Sequence, residues 1–207
     1  GPAAATARAA FGALRLPAPR TDFGTRMRQL WVLARIDVGF VVRSPASFVL
    51  LVIGLLNSGG ALWFAGEFYG TPSFPVTRLM IDALTGSYSI IPIIIAIYYA
   101  GELVWRDRDR RMHEIVDAAA APDWAHLLPK VVAIVLVLFA VALVGVLAGV
   151  ATQLLRGYPQ LQLDAYLLWF VLPTTIAAVH LAILSVFVQV LVPQKFVGWA
   201  VMLLYVV

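Results

Sequence analysis

Residues 127–155 read LLPKVVAIVLVLFAVALVGVLAGVATQLL, with Lys130 as the only charged side chain. A run this long and this apolar exceeds the roughly 20 residues needed to cross a bilayer. The remainder of the chain has the same character. Hydrophobic residues make up 62% of the 207 positions, and the mean hydropathy is +0.91. Soluble domains lie near ~50% apolar, so hydrocarbon is the expected surroundings. Working outward from 127–155, apolar segments fall at about 45–66, 79–105, 165–192 and 196–207. The expected fold class is all-α: a polytopic membrane protein of about five transmembrane helices.

The segments carry internal punctuation. Pro45 follows Arg43-Ser44 and suits the first turn of a helix. Asn57-Ser58-Gly59-Gly60 lies inside the first segment, and Gly145 and Gly149 form a small-xxx-small pair in the third. Both allow close helix approach. Pro92 and Pro173 fall inside the second and fourth segments. Arg78 and Asp82 are one helical turn apart and are expected to pair. The last stretch, Phe196 to Val207, covers only about 18 Å as a helix. That is short of a hydrocarbon core of about 30 Å, so a fifth span is expected to continue beyond it.

Orientation follows from the placement of Arg and Lys. Arg8, Arg15, Arg20, Arg26, Arg28, Arg35 and Arg43 precede the first segment. Arg106, Arg108, Arg110, Arg111 and Lys130 lie between the second and third, and Lys195 between the fourth and fifth. The opposite side receives Arg78 and Arg156 alone. Cytoplasmic loops carry the excess of Lys and Arg, which puts the N-terminus and the 106–126 loop in the cytoplasm of a cell whose Arg- and Ala-rich composition suggests a bacterium. The expected location is the bacterial inner membrane. Membrane lipids are the expected partner of the basic loops; nucleic acid is not, because each basic cluster flanks a span.

Two segments outside the spans have helical patterns. In 23–43, Met27, Leu30, Trp31, Ala34 and Val38 recur at helical spacing among Arg26, Arg28 and Arg35, as in a helix lying at the headgroup layer. Residues 1–44 therefore read as a cytoplasmic lead followed by this interfacial helix, and 45–207 as the transmembrane domain. In the 106–126 loop, Glu102 and Arg106, and Asp107 and Arg111, are i,i+4 pairs in the favourable acid-first order. Met112, Ile115, Val116 and Ala119 then form one apolar stripe. Pro122 ends that helix and Asp123 can cap the next. A charged front with an apolar stripe suits docking to a partner protein.

These features resemble a family. An Arg-bearing surface helix leads into the first span, and Gly101-Glu102 closes the second. Charged residues follow, then Glu114-Ile115-Val116-Asp117, a Pro-x-Trp turn at Pro122 and Trp124, and Leu-Pro-Lys into the third span. The pattern is similar to type-2 exporter permeases of ATP-binding-cassette transporters, and most closely to a bacterial subgroup in which such spans precede a zinc aminopeptidase domain. The resemblance implies an N-terminal elbow helix and a cytoplasmic coupling helix in the 106–126 loop. It implies a separate ATPase subunit as partner and a second permease half, identical or a sister segment. The implied docking residues are Glu102, Arg106, Arg108, Arg110, Arg111, Met112, Glu114, Ile115, Val116 and Ala119.

No catalytic residues are expected in this chain. It lacks the Gly-x-x-x-x-Gly-Lys-Ser/Thr phosphate loop, so ATP and Mg are expected on the partner subunit and no cofactor here. His113-Glu114 would need a second His at position 117 to bind zinc, and that residue is Asp117. With no cysteine and no such motif, no metal site is expected. Asn57, Thr174, Thr175, His180, Ser185 and Gln189 are polar groups within spans and form a candidate intramembrane site. For His180 a neutral, hydrogen-bonded imidazole is expected. Two other functions fit the sequence: a membrane anchor for a fused zinc aminopeptidase, without transport, and a scaffold subunit of another membrane complex.

Overall fold

The computed structural model describes residues 23–65, 74–109 and 124–206. Among these, helices and their connecting turns account for the fold and no strand occurs. The first helix, α1 (Phe23–Arg43), and the second, α2 (Pro45–Phe64), meet at a sharp corner. Ser44 makes that corner. Its backbone is extended and its Oγ accepts from the Ser47 N–H at 3.1 Å. Pro45 follows at the first helical position, where no N–H is needed. The buried residues of α1 are Ala34, Asp37 and Val41, one stripe that packs on the third-span helix. Trp31 and Ile36 lie off that stripe and are exposed, as are Phe23 and Met27 toward the start of the helix.

The second apolar segment, expected as one rod over 79–105, is instead two helices. They are α3 (Thr77–Ser87) and α4 (Ile90–Asp109), bent by 42°. Pro92 explains the break. In a continuous helix its ring would clash with the carbonyl of Tyr88, four residues earlier, and its missing N–H would leave that carbonyl unbonded. As the third residue of α4 it costs little. The groups freed at the break find local partners. Tyr88 N–H donates to Leu84 O at 2.8 Å, Ser89 Oγ donates to Gly86 O at 3.0 Å, and Asn57 Nδ2 from α2 donates to Ser87 O at 2.9 Å. Arg78 and Asp82 are both exposed, and no ion pair joins them among the described residues.

The longest helix is α5 (Trp124–Leu155), 32 residues. It touches α1, α2, α3, α4 and the fourth-span helix and so acts as the trunk of the bundle. Its paired glycines accept tyrosine rings rather than a helix backbone. A Cβ on Gly145 would lie 3.0 Å from Tyr88, and one on Gly149 would lie 3.1 Å from the Tyr166 hydroxyl. By contrast, nothing lies within 4 Å of a Cβ built at Gly59 or Gly60.

The fourth segment begins as α6 (Leu163–Tyr166), passes through a π-helical turn (Leu167–Val171) and continues as α7 (Leu172–Leu191). The wider turn sits directly before Pro173. A π turn changes the hydrogen-bond register and so absorbs the donor that proline lacks. After a short turn, α8 (Lys195–Val206) runs back along α4 and α7. Among the described residues, α2, α5 and the 163–191 rod are each long and apolar enough to cross a membrane; the bent α3–α4 pair makes a fourth if it is one crossing.

Buried aromatic and aliphatic side chains such as Tyr99, Leu103, Ile134, Tyr166 and Phe170 fill the interior. Large apolar side chains also cover the outside, including Leu56 at 72% and Leu147 at 67% exposure. Only 17% of the most apolar stretch of α2 is buried within the chain. An apolar exterior of this extent suits hydrocarbon and not water.

The glycine notches generate a stability prediction. Gly149→Leu forces Tyr166 out of its seat and is expected to cost about 1–3 kcal/mol. Gly59→Ala meets open space inside a helix and is expected to raise stability by up to about 1 kcal/mol. Thermal unfolding of the purified variants in detergent measures both.

Candidate functional site

Of the residues expected on the cytoplasmic side, Arg106, Arg108, Lys130 and Lys195 lie at one end of the bundle, here called the basic end. The last turns of α4 are its centre. Glu102, Trp105, Arg106 and Arg108 project from them toward three different elements, although Glu102 and Arg106 are spaced for a pair on α4 itself.

On one flank, Arg106 forms an ion pair with Asp37 of α1 at 2.5 Å, and their side chains are 17% and 6% exposed. The Arg106 guanidinium also lies over the Phe40 ring, 5.0 Å from its centroid. Two turns earlier, the Tyr99 hydroxyl and Ser44 Oγ are 2.5 Å apart. The α1–α2 corner is therefore tied to α4 at two levels.

The other flank holds α4 to the α7–α8 turn. Trp105 Nε1 donates to Gln189 Oε1 at 3.0 Å. Lys195 Nζ meets Glu102 Oε1 at 2.8 Å, and both side chains are 25% exposed. Arg108 donates to the carbonyls of Val190 at 3.0 Å and Val192 at 3.4 Å, with its guanidinium over the Trp105 ring. Those carbonyls belong to the end of α7, where a cation also complements the helix dipole. Trp199 of α8 stacks on Tyr98 at 5.4 Å between centroids. The close fit explains Gly101: any Cβ there would collide with the Trp199 indole. Gly198 is constrained in the same way by the Gln189 amide.

Of the expected docking residues, Glu102, Arg106 and Arg108 thus hold contacts within the chain. Arg110, Arg111, Met112, Glu114, Ile115, Val116 and Ala119 lie outside the described residues, immediately beyond the end of α4.

The candidate intramembrane polar residues do not converge. Asn57 serves the α3–α4 break, and Thr175 Oγ1 donates to Val171 O at 2.7 Å, beside the π turn. Thr174 is half-buried, and His180 is exposed in an apolar groove beside Ile93 and Pro173. No hydrogen bond of His180 occurs among the described residues, in contrast to the bonded imidazole expected. Ser185 is buried and its hydroxyl has no partner among the described residues. Gln189 joins a seam between helices, accepting from Trp105 of α4.

Sequence reasoning missed Asp37, the one acid in the Arg-rich 23–43 helix; a lone carboxylate among arginines was the available signal. It also missed the far end. There Gln153, fully buried, accepts from the Tyr166 hydroxyl at 2.9 Å and donates to Pro75 O at 2.9 Å. Arg156 donates to the carbonyls of Trp63 at 3.3 Å and Ala65 at 3.1 Å, at the end of α2.

No group of three or more His, Cys, Asp or Glu side chains able to hold a metal occurs among the described residues. What the basic end can do is mechanical: it binds the end of α4 to α1 on one side and to the α7–α8 turn on the other.

Arg106→Gln strands the buried Asp37 carboxylate and is expected to cost about 3 kcal/mol. Asp37→Asn is expected to cost less, because Arg106 keeps its contact with the Phe40 ring. The double variant is expected to lose less than the sum, with a coupling of about 1–3 kcal/mol; strictly additive losses in thermal unfolding would contradict the pairing. No family model, curated protein or solved structure matches the chain.

Proposed function

We propose that the chain is the membrane-spanning permease half of an ATP-driven exporter of the bacterial inner membrane. Its N-terminus faces the cytoplasm, and a separate ATPase subunit docks on the segment between α4 and α5. The observation that carries this reading is the set of ties around the end of α4. Residues 110–123 join the end of α4 to the start of α5. A push delivered there acts directly on both helices, and through Asp37, Gln189 and Lys195 on α1, α7 and α8. Such an arrangement turns a local displacement into a concerted tilt.

Further observations support parts of the proposal. The predicted inside cations Arg106, Arg108, Lys130 and Lys195 lie at one end of the bundle, with Arg156 at the other. The exposed Met27, Trp31 and Ile36 of α1 suit a helix lying in the headgroup layer. The apolar groove beside Ile93, Pro173, Ile176 and His180 offers a surface for a second permease half. On this reading Arg110, Arg111 and Glu114 contact the ATPase and the Met112 to Ala119 stripe seats in its groove. ATP and Mg remain on that subunit.

The test is a photo-crosslinking amino acid at Val116 in the full-length protein, in its native membranes. Recovery of a subunit carrying an ATP-binding phosphate loop is the expected result. Crosslinks to lipid or water alone, with no such subunit recovered, would overturn the reading.

A further inference from the structure

Gln189 of α7 stands between two indoles. It is fully buried, and its Oε1 accepts from Trp105 Nε1 of α4 at 3.0 Å. The second indole belongs to Trp199 of α8. Its Nε1 is buried with no hydrogen-bond partner among the described residues, a state that a buried indole N–H rarely occupies. Trp199 Nε1 and Gln189 Nε2 border the same place, the one a Cβ would take on Gly101, and Nε2 lies 3.2 Å from it. Trp199 thus presents its donor to the donor end of the Gln189 amide, while the acceptor end serves Trp105. The amide nitrogen gains little from this arrangement, since its bond to Lys195 O is long at 3.5 Å.

A single rotation reverses the pairing. The terminal torsion of a glutamine is soft and roughly two-fold, so turning the amide exchanges its oxygen and nitrogen without moving a helix. An indole N–H can only donate. With the indoles at the two ends of the amide, its one oxygen serves one of them at a time. We propose that Gln189 is a toggle: Trp105 holds its oxygen in the state described above, and Trp199 holds it in a second state. In the first state the amide ties α7 to α4, and in the second it ties α7 to α8. Gly101 and Gly198 permit the exchange, because a Cβ on either would crowd the amide. The long side chains of Arg108 and Lys195 keep α4 beside the α7–α8 turn in both states. A displacement of α4 that stretches the Trp105 bond therefore favours the second state. The toggle stands whatever supplies that displacement, so it does not rest on the ATPase.

The experiment is NMR of the full-length protein in lipid nanodiscs, with the tryptophan indole nitrogens isotope-labelled. The Trp199 N–H signal is identified by its loss in Trp199→Phe. Trp105→Phe removes the competing donor and is expected to move the Trp199 signal downfield, as its N–H gains the Gln189 oxygen. Adding Gln189→Met to Trp105→Phe removes the acceptor and is expected to return the signal to its original position. Benzothienylalanine at position 105 keeps the bicyclic ring and lacks the N–H, so it gives the same reading where the smaller phenyl ring disturbs the fold. A Trp199 signal that neither replacement moves would overturn the proposal. A downfield shift that survives Gln189→Met would overturn it too, by assigning the new bond to water. Neither outcome bears on the crosslink at Val116, so the toggle and the motor attachment fail separately.

Discussion

A helix that ends inside or beside hydrocarbon leaves its last carbonyls without water. In this protein those carbonyls are satisfied from neighbouring helices. Arg108 of α4 reaches the end of α7, Arg156 reaches the end of α2 from beyond α5, and Asn57 of α2 reaches the end of α3. Each contact does two jobs. It supplies a donor to an orphan acceptor, and it fixes one helix end against another. The two arginines add a favourable charge at the negative pole of the helix they cap. The order of the bundle depends on these caps, because the apolar faces between helices are matched by equally apolar lipid and provide little orientation of their own.

The basic end shows how such contacts accumulate. The end of α4 is held by an ion pair toward α1, and by an indole–amide bond, a second ion pair and the Arg108 cap toward α7 and α8. Small residues permit the approach: Gly101 gives way to Trp199, and Gly198 to Gln189. The far end uses a different chemistry. Gln153 and Tyr166 are neutral there, and Gly149 makes room for the tyrosine. Among the described residues the ion pairs lie at the basic end, which makes it the more salt-sensitive of the two.

The apolar segments announced the helices, because twenty charge-free residues have few other uses. The Ser44-Pro45 corner and the separation of cations to one end were equally legible, since capping and charge asymmetry are local signals. The break at Tyr88 was marked by Pro92, but whether a proline kinks a span or divides it depends on who receives the freed carbonyl. Here Asn57, thirty positions away in the chain, bonds the Ser87 carbonyl at the end of α3. The π turn before Pro173 was hidden for a similar reason. The site was less legible than the fold. Glu102 and Arg106 are spaced for a pair on one helix, yet each reaches another helix, and spacing along α4 carries no information about Asp37 or Lys195.

The central claim is that the end of α4 secures the α7–α8 turn through Arg108. Hydrogen–deuterium exchange of the turn around residues 190–198, compared between the protein and its Arg108→Gln variant, tests it directly. A cap contributing about 1–2 kcal/mol predicts exchange there faster by roughly tenfold, with α1 unchanged. Unaltered exchange across 190–198 in a folded variant would contradict the account.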